Sequence, residues 1–126
     1  MPQISGRRIL IADDERVIAD SLAIILTQTG FSTRAVYSGE AALEVADFFL
    51  PDMFVSDVMM PGMTGIEASI NLLMKFPDCK ILLFSGQAAT ANLLKEAEKH
   101  GRSFEILTKP VHPLDLIEKL RACFAV

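Results

Sequence analysis

The stretch ILIADD, residues 9–14, is a short apolar run that ends on two carboxylates, Asp13 and Asp14. Three later apolar runs also end on a polar residue: 53–56 on Asp57, 81–84 on Ser85, and 104–107, through Thr108, on Lys109. Short, nearly continuous apolar runs are typical of strands that are covered on both faces. Because the carboxyl ends of parallel strands meet at one edge of a sheet, the recurrence predicts three carboxylates, a hydroxyl and an ammonium in one crevice.

Strand-like and helix-like patterns alternate five times along the chain. The predicted strands are Arg8–Ala12, Thr33–Val36, Met53–Ser56, Lys80–Phe84 and Phe104–Leu107. An amphipathic helix follows each strand, and the fourth, roughly Thr90–His100, has the thinnest apolar face. Such a series predicts an α/β fold of the doubly wound, flavodoxin-like kind, with helices on both faces of a five-stranded parallel sheet.

Charged residues within two of the strands predict the strand order. Arg34 and Glu105 fall in the second and fifth strands, and a charge is better tolerated at a sheet edge than in its centre. The order 2-1-3-4-5 follows, with its switch point between the first and third strands. That position brings Asp13, Asp14 and Asp57 to the crevice in which open α/β sheets bind ligands.

Length and charge indicate a single acidic domain. The 126 residues carry a net charge of −4, and 51% of them are hydrophobic. A chain of this size can bury a substantial core, so we expect one domain over residues 1–126 with its core at 6–124. The acidic balance argues against direct binding of nucleic acid, because phosphate contacts need clustered Lys and Arg.

Apolar run length and cysteine usage bear on where the protein acts. The apolar runs are far shorter than the ~20 residues needed to span a bilayer, and the N-terminus lacks a secretory pattern, so we expect no membrane insertion. Cys79 and Cys123 lie in apolar stretches without metal-ligand spacing. We therefore expect buried free thiols and a cytoplasmic protein.

The aspartates carry the strongest chemical signal. Two carboxylates about 4 Å apart repel by roughly 4 kcal/mol at an effective dielectric of 20, so a proton or a cation must share their site. An all-oxygen site that keeps several waters suits Mg²⁺. Taken singly, Asp13 and Asp14 could cap the next helix, and Asp57 could be a turn residue. Their combination with Ser85 and Lys109 favours a functional site.

The same set of groups suits phosphoryl chemistry. A carboxylate beside Mg²⁺ and an ammonium can act as a nucleophile toward phosphorus and form an aspartyl phosphate. Lys109 would then offset charge on the phosphoryl group, and the Ser85 hydroxyl would bind one of its oxygens. In this hypothesis the protein works through positioning and charge neutralisation.

The chain resembles the receiver domain of two-component response regulators. Four segments carry the resemblance: IADDE at 11–15, SDVMMPGMTG at 56–65, Ser85-Gly86 and Thr108-Lys109-Pro110. Each segment alone is a weak pattern, whereas all four in this order and at strand ends form a specific one. The resemblance extends over nearly the whole chain.

The resemblance implies a role for each site residue. Asp57 would be phosphorylated, with Lys109 and Ser85 assisting. Asp14 would bind Mg²⁺ directly and Asp13 would bind it through a water molecule. Asp57 and the backbone carbonyl of Met59 would supply further ligands. The phosphoryl donor would be a phosphohistidine on a histidine kinase or histidine phosphotransfer protein. The family also holds the peptide bond before Pro110 in the cis form.

One departure concerns an aromatic residue that moves on activation in many receivers. That position, three residues before Lys109, is Ile106 here. Phe104 lies two residues earlier and, by the alternation of side chains along a strand, on the same face. We therefore do not expect the usual aromatic switch to carry over, and plain core packing is the alternative role for both residues.

Several functions remain open at this point. Only residues 123–126 follow Ala122, so we expect the signal to pass to a downstream protein target through the fourth helix, fifth strand and fifth helix. A receiver fragment that has lost its output domain is one alternative. A small phosphohydrolase is another, although such enzymes use an acid at the position of Met59. A pseudo-receiver that binds partners without phosphorylation is the third. We expect no enzyme activity beyond the chain's own phosphorylation and dephosphorylation.

Overall fold

The computed structural model describes residues 6–86, 95, 98 and 104–124, which include a five-stranded parallel sheet. The strands are β1 Arg8–Ala12, β2 Ser32–Val36, β3 Met53–Asp57, β4 Lys80–Ser85 and β5 Glu105–Thr108. The continuous helices, numbered in chain order, are α1 Arg16–Thr29, α2 Gly39–Phe49, α3 Gly65–Lys75 and α4 Pro113–Phe124. The predicted fourth helix lies outside the described residues except for Lys95 and Glu98, which are helical.

The order of the sheet is β2-β1-β3-β4-β5, which confirms the predicted doubly wound α/β fold. β3, β4 and β5 each end one residue later than predicted, because Asp57 pairs with Phe84 and Ser85 pairs with Thr108 across the sheet. Asp57 and Ser85 are therefore the last residues of β3 and β4, held by the sheet itself rather than by a loop.

The core lies on both faces of the sheet. Along β1, Ile9 and Ile11 face α1 and α4, whereas Leu10 and Ala12 face α2 and α3. All four side chains are almost completely removed from solvent. Burying a large aliphatic side chain stabilises a fold by about 1.5–3 kcal/mol, so this alternation fixes the register of the central strand and the place where it ends.

Local capping sets where the helices begin. Thr64 and Glu67 form a reciprocal capping box at the start of α3, with hydrogen bonds of 2.9 and 3.1 Å. At α4, the N–H of Leu114 donates to Nδ1 of His112 at 3.1 Å. Each contact satisfies backbone N–H groups that have no partner within the helix. The first turn of α3 is thereby fixed just after the loop that leaves β3.

The two cysteines differ in burial. Both are free, and Cys79 is buried, as predicted. The prediction of a buried thiol was wrong for Cys123, which is only half-buried. The buried stripe of α4 is formed by Leu116, Leu120 and Phe124, and Cys123 lies beside that stripe. No helix in the described part of the chain is long and apolar enough to cross a membrane.

Burial should make Cys79 chemically inert in the folded protein. Removal from water, the larger cause, and the nearby Asp52 raise the pKa of the Cys79 thiol to about 12. Because the thiolate is the reactive form, we expect iodoacetamide at pH 8 to modify Cys79 at least about a hundredfold more slowly in native protein than in urea. Peptide mass mapping over time measures both rates, and equal rates would contradict the buried placement.

Candidate functional site

The carboxyl ends of β1 and β3 bring three aspartates together. Asp13 and Asp14 directly follow β1, and Asp57 ends the neighbouring strand β3. Each of the three offers a carboxylate oxygen within 4.8 Å of the other two. Asp13 and Asp57 are buried, whereas Asp14 is exposed and opens the group to solvent. We call these three residues the acidic pocket.

Asp13 has one satisfied and one unsatisfied carboxylate oxygen. Its Oδ1 accepts the N–H of Glu15 at 2.9 Å. Its Oδ2 is buried and has no hydrogen-bond partner within the described part of the chain. A buried carboxylate oxygen without a partner is costly. The pocket is thus short of positive charge.

Burial is the main cause of a raised pKa at Asp13. The hydrogen bond from Glu15 lowers this pKa in part, and the neighbouring carboxylate of Asp57 raises it further. The positive charge of Lys109 lowers the pKa of Asp13, and the carboxylate of Asp14 raises this pKa by a smaller amount. The buried Asp13 carboxyl therefore resists ionisation unless a cation joins it.

Lys109 supplies a positive charge to this site. Its Nζ lies 3.1 Å from Oδ2 of Asp57, and its side chain remains 31% exposed. The backbone N–H of Lys109 donates to the carbonyl of Ser85 at 3.0 Å, which fixes the lysine at the end of β5. The peptide bond to Pro110 is cis, as the resemblance implied. A partly exposed ammonium on a flexible stem can follow a charge that moves within the site.

The structure places Ser85 at the same edge and Met59 further out. Ser85 ends β4, which lies beside β3, and it is buried. Met59 is 43% exposed and stands between Val58 and Met60, both of which are buried. Its side chain is therefore directed away from the core, and only its backbone carbonyl is a candidate ligand.

Ile106, at the position of the usual aromatic switch, and Phe104, two residues earlier, both belong to the core. Phe104 and Ile106 are both half-buried, and both pack against the cluster of Val58, Ile66 and Leu83. They lie on one face, as the alternation predicted. Their contacts are those of core side chains.

Gly65 supports the site, although nothing in the sequence analysis singled it out. A Cβ at this position would lie 2.2 Å from the carbonyl oxygen of Asp57 and 2.9 Å from Oγ of Ser56. The glycine therefore lets α3 begin directly against the end of β3. A glycine that follows a helix-capping Thr is the signal that could have suggested this close approach.

Replacement of Gly65 with alanine should destabilise the protein. Since the added methyl group overlaps a backbone oxygen, either α3 or the end of β3 must shift, and we expect a loss of at least about 2 kcal/mol. Urea unfolding measures the change. Gly86→Ala is the matched control, because among the described residues its Cβ would meet only the Cβ of Lys109, at 3.4 Å. Equal stability of the two variants would contradict the close packing at Asp57.

Comparison with known proteins agrees with the geometry. Residues 9–121 match the sequence model of the response regulator receiver domain. The chain belongs to the response regulator receiver family. It is therefore a receiver domain of the two-component response regulator type, a class of phospho-accepting signalling modules.

Individual relatives differ in length. The chemotaxis protein CheY of Thermotoga maritima is 28% identical over 116 residues, which cover 91% of this receiver and 95% of that protein. The DNA-binding response regulator MtrA of Mycolicibacterium paratuberculosis is 29% identical over 92% of this receiver but only 50% of its own length. The receiver thus spans about half the length of such DNA-binding relatives. A solved CheY-like receiver domain protein from Methanospirillum hungatei JF-1 superposes with a TM-score of 0.84 at 27% identity, covering 95% of this chain and 94% of the other.

Proposed function

We propose that this receiver accepts a phosphoryl group on Asp57 from a phosphohistidine of a histidine kinase or histidine phosphotransfer protein. The observation that carries the proposal is the acidic pocket, in which Asp57 lies within reach of Asp13 and Asp14 and is paired with Lys109. A buried carboxylate with an ammonium beside it is a suitable acceptor of phosphorus. A carboxylate oxygen of Asp57 would bond to phosphorus as the phosphorus–nitrogen bond of the donor breaks, and the imidazole would keep the electron pair.

The acidic pocket also fits a magnesium ion. The buried Oδ2 of Asp13 lacks a partner within the described residues, and the pocket offers only oxygen atoms, which Mg²⁺ prefers. Asp13, Asp14, Asp57 and the backbone carbonyl of Met59 would hold the ion. When bound, Mg²⁺ would neutralise charge on the carboxylates and on phosphoryl oxygens.

Lys109 and Ser85 would act on the phosphoryl group. Lys109 balances the charge of Asp57 in the present structure, at 3.1 Å, and would balance a phosphoryl oxygen once the group is attached. Ser85 ends the strand next to that of Asp57, and its hydroxyl would donate to another phosphoryl oxygen. These contacts would make the ends of β4 and β5 sensitive to phosphorylation.

The wider role follows from the same site. We propose that residues 1–126 form one receiver domain with its core at 6–124. We also propose that phosphorylation alters a protein-binding surface around the helix predicted at roughly 90–100, strand β5 and the last helix, α4. The free cysteines support action in the reducing cytoplasm. Attachment to an output domain in a longer protein is the second candidate, favoured by relatives such as MtrA that are twice as long as the matched segment.

Incubation with phosphoramidate, with and without Mg²⁺, tests the proposed function. Intact-mass spectrometry should show one added phosphoryl group per chain in Mg²⁺ and essentially none in EDTA, because the crowded carboxylates need a cation. Release of many equivalents of phosphate per chain at a steady rate would favour a phosphohydrolase instead. Absence of any mass gain in Mg²⁺ would contradict phosphorylation and favour a pseudo-receiver.

A further inference from the structure

The loop between β3 and α3, residues 58–64, leads from Asp57 to the first turn of α3 and contains Met59. Both of its ends are fixed by backbone hydrogen bonds. The N–H of Val58 donates to the carbonyl of Phe84 at 3.0 Å, and the N–H of Gly65 donates to the carbonyl of Val58 at 2.9 Å. The shape of the loop between these ends therefore decides where the Met59 carbonyl lies.

The middle of the loop is held by packing against α2. Met60 is buried in the same core cluster as Ala42 and Ala46, and Met63 packs against that cluster. Met59 itself remains exposed. The side chains on either side of the candidate ligand are thus anchored, although Met59 is not.

The first turn of α2 makes a second, polar attachment to the loop. Oε2 of Glu40 accepts the backbone N–H of Met63 at 3.2 Å. Gly39 is buried, and a Cβ there would lie 3.0 Å from Cβ of Met63 and 3.1 Å from its carbonyl oxygen. Gly62 has a φ of 76°, and its Cβ would lie 2.8 Å from Oε2 of Glu40. Two glycines thus allow one carboxylate to reach the loop backbone, and we call Gly39, Glu40, Gly62 and Met63 the α2–loop seam.

The segment that carries Glu40 is also attached to the backbone of Asp13, in the acidic pocket. The carbonyl of Val36, at the end of β2, accepts the N–H of Asp13 at 3.2 Å. Residues 36–40 therefore connect the backbone of Asp13 with the loop that follows Asp57. A shift of this short segment would move two parts of the pocket relative to each other.

We infer that Glu40 is a positioning residue that holds the loop after Asp57 in the shape needed to present the Met59 carbonyl to a divalent cation. This inference rests on the proposed function. Glu40 acts through the Met63 N–H, and it is not one of the three grouped carboxylates. The hydrogen-bonding oxygen of Glu40 carries the effect, not its charge.

Three variants separate this role from general effects on stability or charge. Glu40→Ala removes the acceptor, whereas Glu40→Gln removes the charge and keeps an oxygen acceptor. Glu44→Ala is the matched control, because it removes an exposed carboxylate one turn further along α2. Glu40 is also exposed, so we expect all three variants to fold.

Calorimetric titration of the metal-free protein with Mg²⁺ tests the inference. We expect Glu40→Ala to weaken Mg²⁺ binding about fivefold, which corresponds to the loss of one hydrogen bond. Glu40→Gln and Glu44→Ala should stay within about twofold of the wild type, a difference too small for a lost hydrogen bond. In the absence of metal, amide hydrogen exchange at Met63 should accelerate in Glu40→Ala alone.

The outcomes distinguish the inference from the proposed function. Equal affinities of Glu40→Ala and Glu44→Ala would overturn the inference, as would a loss in Glu40→Gln as large as that in Glu40→Ala. Unchanged exchange at Met63 in Glu40→Ala would overturn it independently of metal. A wild-type protein that takes up no Mg²⁺ would instead contradict the proposed function itself.

Discussion

Replacement of Asp57 with asparagine is expected to abolish phosphoryl uptake. The amide keeps the shape of the side chain but loses the charge that makes the carboxylate nucleophilic and that pairs with Lys109 at 3.1 Å. We expect the rate of uptake from phosphoramidate in Mg²⁺ to fall by more than about a hundredfold. Intact-mass spectrometry over a time course provides the measurement.

Asp78→Asn is the matched control for this variant. Asp78 is exposed and precedes β4, so it lies at the amino edge of the sheet, opposite the acidic pocket. The control should accept phosphate at the wild-type rate. If Asp57→Asn gained phosphate as fast as the control, the acceptor would be a different residue and the assignment of Asp57 would be wrong.

Replacement of Asp13 with asparagine should stabilise the protein in metal-free buffer at neutral pH. Asparagine keeps an oxygen for the Glu15 N–H and removes a buried charge next to Asp57 and Asp14. Lys109 already offsets part of the repulsion, so we expect a gain on the order of 2 kcal/mol. For a domain of this size, such a gain corresponds to a rise in Tm of about 5–10 °C.

Magnesium should stabilise the wild type more than it stabilises Asp13→Asn. An ion that binds only the folded state raises its stability, and the wild type has one more carboxylate for the ion than Asp13→Asn. Thermal melts with and without Mg²⁺ should therefore show a larger increase in Tm for the wild type. An equal increase in both proteins would contradict a role for Asp13 in holding the ion.

The pH dependence of the Asp13→Asn gain has a definite sign. Burial raises the pKa of Asp13 in the folded protein above its ordinary value of 3.8, so the folded state holds this proton to higher pH than the unfolded state. The wild type therefore loses stability as the pH rises from 3.8 through the raised pKa, and the full penalty applies above it. The gain from Asp13→Asn should be largest at pH 7 and smaller at pH 4. Urea unfolding at both values measures it, and a gain that grows on acidification would contradict the placement of Asp13.

Much of the fold could be predicted because its signals are local. Short apolar runs gave the strands, and the charges of Arg34 and Glu105 placed two of them at the edges, from which the order of the sheet followed. The ends of β3, β4 and β5 each lay one residue beyond the predicted end, since a strand ends where its ladder partner ends. The hydrophobic pattern within Met53–Asp57 carries no information about the pairing of Asp57 with Phe84 on the neighbouring strand.

The site was predictable only in part. Asp13, Asp14, Asp57 and Lys109 each follow or end an apolar run, so topology alone brings them to one edge. The contact between Glu40 and Met63 joins residues 23 apart through a loop that turns at Gly62 with a positive φ, and no repeating pattern encodes such a turn. The partial exposure of Cys123 likewise depends on which α4 side chains fill the buried stripe.

A crystal structure of the protein with Mg²⁺ and beryllium trifluoride, an analogue of the phosphoryl group, tests the central claim most directly. Our account predicts the analogue on a carboxylate oxygen of Asp57 with Lys109 in contact, and a cation among Asp13, Asp14 and Asp57. An analogue bound to another side chain, or a cation bound away from these three carboxylates, would contradict the account.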